Sequence, residues 1–443
     1  MTRTQRRVHA KWKSKRHPMF FLDCSRRWGK TRYLVIIVVM CANEGPNRTI
    51  RYCAPTKLHG RTFVMPAMKW VCDQLPEHMR PKFVTQDNKW VWPNGSECHL
   101  GSAESIADTD LQVGTECHLA VSDEGAKVRT DVLEYWHKTV IVPQFMTTMG
   151  TLVVGTTPPM SPAHYVTDLR KLAQERDSCV RYTIDDCDHI TQEAKEEAIR
   201  ECGGPNTAQA RRELYCEHIP DRDWMVVPEW LDVSKTAIQD IRQPPQYRDW
   251  YASGDFGFED LTVVLYAWFD FGTQRIVVEH EVVGHRVSSL EVGVECKALE
   301  LEHKIVPVAR VADAPLQLLA DMSHPTLGPG IVFGPAMKDD ADACLAQLRN
   351  EIQRGHIVVN PRCRTLIAHL EGAIWNSRRS SFERMGGEYG HWDAIDALKY
   401  LNRAVNRRRN PVPTFNVQGA ANVFSKTRTT FQGQRTTLGK KVA

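Results

Sequence analysis

Residues 20–31 read FFLDCSRRWGKT, and the apolar run YLVIIVVMCA follows at once at 33–42. A short apolar strand, a polar loop closed by Gly29, and an apolar helix in direct succession restrict the chain to a layered α/β fold, because such a helix packs back onto the sheet its strand belongs to. The apolar run is about half of what a membrane span needs, so it reads as a buried segment. The loop has the chemistry of a phosphate cradle. Backbone N–H groups at a helix N-terminus face an anion, Lys30 neutralises its outer oxygens, and the Thr31 hydroxyl holds Mg²⁺. On this reading Cys24, Ser25, Arg26, Arg27, Trp28, Gly29, Lys30 and Thr31 surround a nucleotide. Cys24 stands where such loops usually start with Gly, and it fits there if its φ is negative.

A strand ending in carboxylates should complete the site, and HLAVSDEG at 118–125 supplies it. Asp123 at the strand end would order Mg²⁺ and its waters, and Glu124 would polarise the attacking water. A turn after an apolar run is the simpler reading of either motif alone; the two together, in this order, point to a phosphate-loop ATPase.

Domain organisation follows from the change of pattern along the 443 residues. Strands alternate with helical stretches from residue 19 to about 160, which implies a parallel sheet with crossover helices. Residues 190–240 read as a small lid, within which 190–216 is charged, helical and Gly-interrupted; IRQPPQYRD at 241–249 reads as a linker. From 250 to 405 a three-strand meander opens a second α/β domain. The ends differ from the body: fifteen of the 57 Lys and Arg residues, and none of the 53 Asp and Glu, lie in residues 1–18 and 404–443. These are expected to be a basic arm at 1–18 and a basic, largely unstructured tail at 406–443, suited to phosphate backbones or an acidic partner. Thirteen Cys without a CxxC pair argue against a zinc ribbon or a disulfide framework and for reduced thiols. A basic, polar N-terminus is unlike a secretory signal, which leaves a cytosolic protein without a membrane span as the expectation.

The set CSRRWGKT, YCAPT, GSAES…LQVG, HLAVSDE and VVGTTPP, in this order and spacing, resembles the ATPase half of the large terminase subunits, the DNA-packaging motors of tailed bacteriophages. Members of that family commonly tolerate a varied first position in the phosphate loop and place Arg inside it. The resemblance implies that Gly155, Thr156 and Thr157 form a coupling motif that senses the γ-phosphate. Arg129 is a candidate for a charge-stabilising finger.

In the second domain Asp255 in YASGDFG and Asp313 in ARVADAP end apolar strands, while Asp393 and Asp396 lie on the helical stretch HWDAIDALKY. A two-metal nuclease needs carboxylates from separate elements converging on ions, since neighbouring carboxylates repel unless cations sit between them. Singly each is equally a cap or a turn former. As a set after a meander they resemble the ribonuclease-H-like nuclease of the same family. That resemblance makes Asp255 the first-strand ligand, Asp313 the fourth-strand ligand and Asp396 the late helical ligand. Family members often carry His where this chain has Asp393, and Asp260 is a candidate for an outer shell.

The resemblance spans roughly residues 19–405. It implies an N-terminal phosphate-loop ATPase with a parallel-type sheet and a C-terminal ribonuclease-H-like α/β nuclease with an antiparallel start. It further implies ATP with Mg²⁺, and Mg²⁺ or Mn²⁺, two ions, at the nuclease site. Expected partners are double-stranded DNA, a portal protein, a small terminase subunit and further copies of the chain in a ring on the procapsid. The expected location is the host cytoplasm and, transiently, the portal vertex, not the mature virion. The rival reading is a cellular helicase or repair ATPase whose second domain only binds DNA.

Overall fold

The structure, a computed structural model, describes residues 1–14, 17–257, 261–285, 287–376, 378–384 and 391–413. The N-terminal sheet contains eight strands: β1 (Met19–Cys24), β2 (Thr49–Ala54), β3 (Lys82–Val84), β4 (Lys89–Val91), β5 (Glu97–Ser102), β6 (Leu119–Asp123), β7 (Thr151–Thr156) and β8 (Cys179–Tyr182). Their order is β3-β4-β5-β2-β6-β7-β1-β8. From β5 to β8 every neighbour is parallel, as the alternating pattern implies. The far edge departs from that expectation. There WVWPNG is β4 and a turn, with Gly95 at φ +81°, that reverses the chain into an antiparallel hairpin rather than a crossover.

Helix Lys30–Asn43 covers this sheet, with Leu34, Val35, Ile37 and Val38 wholly buried. That explains a run apolar on all sides without any membrane role. Among the described residues no helix is long and apolar enough to cross a membrane.

The second sheet is built from β9 (Asp249–Phe256), β10 (Leu261–Asp270), β11 (Arg275–His285), β12 (Pro307–Asp313), β13 (Gly334–Pro335) and β14 (Ile357–Val359), ordered β13-β12-β9-β10-β11-β14. The meander β9–β10–β11 is antiparallel, and β12 returns parallel to β9 after helix Ser289–Glu302. Helix Asp393–Ala404 lies across β9, β10 and β12. Its apolar face, Ala394, Ile395, Ala397, Leu398 and Leu401, is wholly buried in the second core.

Three expected boundaries shift. Residues 3–14 of the arm form a helix whose Val8 is wholly buried in the first core with Trp28 and Tyr33, so the charged face alone is free. The compact subdomain after β8 has its own small core of Ile184, Ala210 and Leu214. Helix Trp230–Ala237, placed in the lid by sequence, packs with Tyr251, Leu398 and Trp392 in the second core. Trp230 is wholly buried there, and an aromatic of that size belongs to whichever core surrounds it. Of the stretch IRQPPQYRD at 241–249, residues 241–248 carry no regular element and Asp249 opens β9. The tail from 414 and Asp260 lie outside the described residues. All thirteen cysteines are free and ten of them are buried, as expected of reduced thiols. Between the domains, Ser161 Oγ donates to the Gly372 carbonyl at 2.7 Å in a buried contact.

Candidate functional site

The phosphate loop leaves the fully buried strand β1, which lies between β7 and the edge strand β8. Cys24 is the last residue of that strand, in extended backbone with its side chain in the core, which is why Gly is dispensable there. Two left-handed residues follow, Arg27 at φ 69° and Gly29 at φ 90°. A left-handed non-glycine residue costs about 1–2 kcal/mol, and such outliers gather at functional loops. At Gly29 a side chain is doubly disfavoured, because a Cβ would stand 3.0 Å from the Gln5 amide.

Lys30 is 5% exposed and turns back over the loop, donating to the carbonyls of Cys24 (2.9 Å) and Ser25 (3.2 Å). Its Nζ lies 3.4 Å from Glu124 Oε1. Thr31 Oγ1 donates to Asp123 Oδ2 at 2.8 Å. The loop and the end of β6 therefore meet, as their order implies. Glu124 itself is left-handed (φ 48°), which lifts its carboxylate off the strand end toward Lys30.

The coupling segment also converges here. The Ala126 N–H, two residues after Glu124, donates to Thr156 Oγ1 at 3.0 Å, and that hydroxyl donates to the Thr157 carbonyl at 2.8 Å. A Cβ on Gly155 would stand 3.0 Å from Leu34, so the glycine lets helix Lys30–Asn43 sit close on β7.

An open cleft of about 970 Å³ runs along this site, lined among others by Arg26, Arg27, Lys30, Arg32, Lys127 and Glu124. Five cations against one carboxylate suit a polyanion, and the volume is at the upper end of the roughly 300–1,000 Å³ of small-molecule sites. Asp123 is wholly buried; its Oδ1 accepts no hydrogen bond among the described residues, an unfilled position that suits a hydrated divalent cation.

Several of the expected residues also hold the loop itself. Cys24 and Ser25 hold Lys30 by their carbonyls while their side chains face inward. The Trp28 ring, 1% exposed, anchors the loop between Tyr33 and Tyr182. The Arg26 N–H donates to the Glu213 carbonyl at 3.0 Å and its guanidinium pairs with that carboxylate, tying the loop to helix Ala208–Glu213. Arg129 pairs with Asp131 at 2.7 Å on the surface and does not line the cleft.

Sequence reasoning missed three contributors. Tyr52, wholly buried, donates to Asp123 Oδ2 at 2.9 Å, and His59 Nε2 lies 3.4 Å from the same oxygen. Gln5 Nε2 reaches the Trp28 and Gly29 carbonyls. The stretch YCAPTKLH contained the first two, and a strand parallel to β6 with a tyrosine beside an expected metal aspartate was the available signal.

In the second domain Asp255 and Asp313 are direct neighbours in register on parallel β9 and β12. Asp393 and Asp396 open the helix laid across those strands. Burial, then the charges of Asp396, Asp393 and Asp313, push the Asp255 carboxyl up to about 8. A carboxyl so disfavoured as an anion fits a site completed by a cation. Asp313 accepts from Tyr400 Oη at 2.8 Å and pairs with Lys338, while Asp396 pairs with Lys399. Among the described residues no three His, Cys, Asp or Glu side chains stand in ready metal-holding geometry. The two lysines occupy the carboxylates instead.

Residues 22–225 match the family model for the terminase large subunit, T4likevirus-type, N-terminal. No curated protein matches the chain. The structure is similar to the HK97 bacteriophage large terminase at 14% identity and TM-score 0.55, covering 91% of this chain and 95% of that one. It is also matched to the large terminase of a thermophilic bacteriophage (15% identity, TM-score 0.43, 91% and 98% covered) and to the P22 large terminase nuclease domain (14%, 0.30, 38% and 88%). The HK97 likeness shows the fold, a largely parallel sheet followed by a second sheet with an antiparallel start. Phosphate loop, strand-end carboxylates and matched segment agree: over residues 22–225 the chain is similar to the N-terminal part of terminase large subunits.

Proposed function

We propose that the chain is a viral DNA-packaging motor, which hydrolyses ATP in its first domain to move double-stranded DNA into a procapsid and cuts concatemeric DNA with its second. The observation that carries the reading is the meeting of Lys30, Thr31, Asp123, Glu124 and Thr156 at the ends of three adjacent parallel strands. Loop N–H groups, Lys30, Arg26 and Arg27 bind the phosphates, and Glu124 accepts a proton from the attacking water. Thr31 and Asp123 would hold Mg²⁺, which supplies charge neutralisation on the phosphate oxygens. Thr156, bonded to the loop that carries Glu124, registers loss of the γ-phosphate; Gly155 and Thr157 complete that motif. In the second domain Asp255, Asp313 and the late Asp393 and Asp396 would hold Mg²⁺ or Mn²⁺, which supplies an activated water for phosphodiester cleavage.

DNA is gripped through its phosphates without base reading, so a few Lys and Arg along a channel suffice despite an acidic body. The portal protein, a small terminase subunit and further copies of this chain in a ring are the partners this role requires. Its place is the host cytoplasm and the portal vertex during packaging, not the finished virion.

The test is DNA-stimulated phosphate release. It falls to background in Lys30→Ala, and equal rates in wild type and variant would remove the ATPase claim. A finer prediction concerns Tyr52→Phe, which deletes one buried donor to Asp123. Loss of a partner that orients a metal-holding carboxylate costs about 10–100-fold in metal affinity. The Mg²⁺ concentration for half-maximal turnover therefore rises about tenfold or more, with little change at saturating Mg²⁺. An unchanged Mg²⁺ titration refutes that role for Tyr52.

A further inference from the structure

Four aspartates crowd the ends of β9 and β12 and the first turn of helix Asp393–Ala404, yet the two lysines among them differ in a way that decides which positions are open. Lys338 sits in the segment after β13 with a side chain 63% exposed, so it can leave Asp313 for solvent. Lys399 cannot. Its side chain is 11% exposed, on the face of helix Asp393–Ala404 turned toward the sheet, with its ammonium on Asp396 and 5.6 Å from the Phe382 ring centre. Lysines on helices ordinarily run their stems along apolar surface and place the ammonium in water. A buried ammonium is retained only where it is paired, because removing it from water is costly.

We infer that Lys399 is a built-in cation of the carboxylate cluster, standing where a second metal ion would otherwise sit, so that the cluster takes a single divalent ion at Asp255 and Asp313. This rests on the nuclease reading given above and narrows it from two ions to one, and from four aspartates to the strand-borne pair Asp255 and Asp313. Two features of the cluster agree with it. Asp255 and Asp313 are in-register neighbours on adjacent parallel strands, the one carboxylate pair held by the sheet itself. Asp396 is already engaged, and among the described residues no third His, Cys, Asp or Glu joins a ready ligand set. A second divalent ion beside Asp396 would have to stand against an ammonium that the fold does not let swing away. Lys399 is thus a positioning and charge-compensating residue, not a group that reacts.

The experiment counts Mn²⁺ ions on the full chain by isothermal titration calorimetry and electron paramagnetic resonance, without DNA or nucleotide. Ions of the cluster are those lost in Asp255→Asn. The expected count is one per chain in the wild type and in Lys399→Arg, and two in Lys399→Met. In Lys338→Ala the count stays at one and the affinity rises by up to about fivefold, the worth of an exposed ion pair. Two ions lost from the wild type, or an unchanged count in a folded Lys399→Met, overturns the inference and leaves the nuclease reading standing. No ion lost in Asp255→Asn removes the metal reading, and this inference with it. Should Lys399→Met unfold, which its near-ultraviolet circular dichroism reports, the wild-type and Lys399→Arg counts still decide.

Discussion

Replacing Glu124 with Gln lowers ATP turnover by about 10²–10⁴-fold while nucleotide binding persists, the usual loss when a positioned general base is removed. The local geometry explains both halves of that expectation. Glutamine keeps the size and the left-handed position of the side chain, so the cleft retains its shape. Lys30 loses its 3.4 Å neighbour Glu124 but keeps the Cys24 and Ser25 carbonyls, and the cations lining the cleft are untouched. Phosphate release measures the first effect and equilibrium binding of a fluorescent ATP analogue the second. Asp123→Asn differs in kind: it disturbs the oxygen shared by Thr31, Tyr52 and His59, so Mg²⁺ dependence changes before nucleotide binding does. Normal turnover in Glu124→Gln, with another acid nearby proving essential, would move the base elsewhere.

What could be read from the sequence is what local chemistry dictates. Strand β1, its loop and helix Lys30–Asn43 are contiguous, and each element carries its own signal: continuous apolar residues, a glycine at a left-handed position, a basic residue with a hydroxyl. The ends of β6 and β7 were legible for the same reason. Partners across the fold were not. Nothing in DAIDALKY says that Lys399 turns inward, because the burial of a helix face depends on the sheet beneath it. Trp230 lies in the short apolar stretch MVVPEWLDV, which fits either domain's core, and only the second core assigns it. In the antiparallel run β3–β5 the strands β3 and β4 have three residues each, too short for a period to declare itself, and the turn after β4 reads the same whether the chain reverses or crosses over.

The second large effect is on cutting. Asp255→Asn abolishes metal-dependent DNA cleavage, by at least about 10²-fold, while ATP hydrolysis continues near the wild-type rate. Residues that only orient metal ligands cost about 10–100-fold when altered, so a direct ligand costs no less than the upper end. Separation of the two activities follows from distance in the fold: Asp255 belongs to β9 in the second core, Glu124 to the end of β6 in the first sheet. The same variant has a signature without metal. In the folded chain the Asp255 carboxyl titrates at about 8, raised by burial and then by Asp396, Asp393 and Asp313, against roughly 3.9 when unfolded. A raised folded value means the native state binds the extra proton, so stability is fully present below the unfolded value and is lost as pH rises toward 8. Asparagine carries no charge at any of these pH values. Metal-free Asp255→Asn is therefore more thermostable than the metal-free wild type near pH 8, and the difference shrinks as pH falls toward 4. Added Mn²⁺ reverses the order, because it stabilises only the chain that binds it. Thermal melts at three pH values, with and without Mn²⁺, measure this. Equal melting temperatures throughout, together with surviving plasmid cutting, would show that Asp255 ends its strand for structural reasons alone.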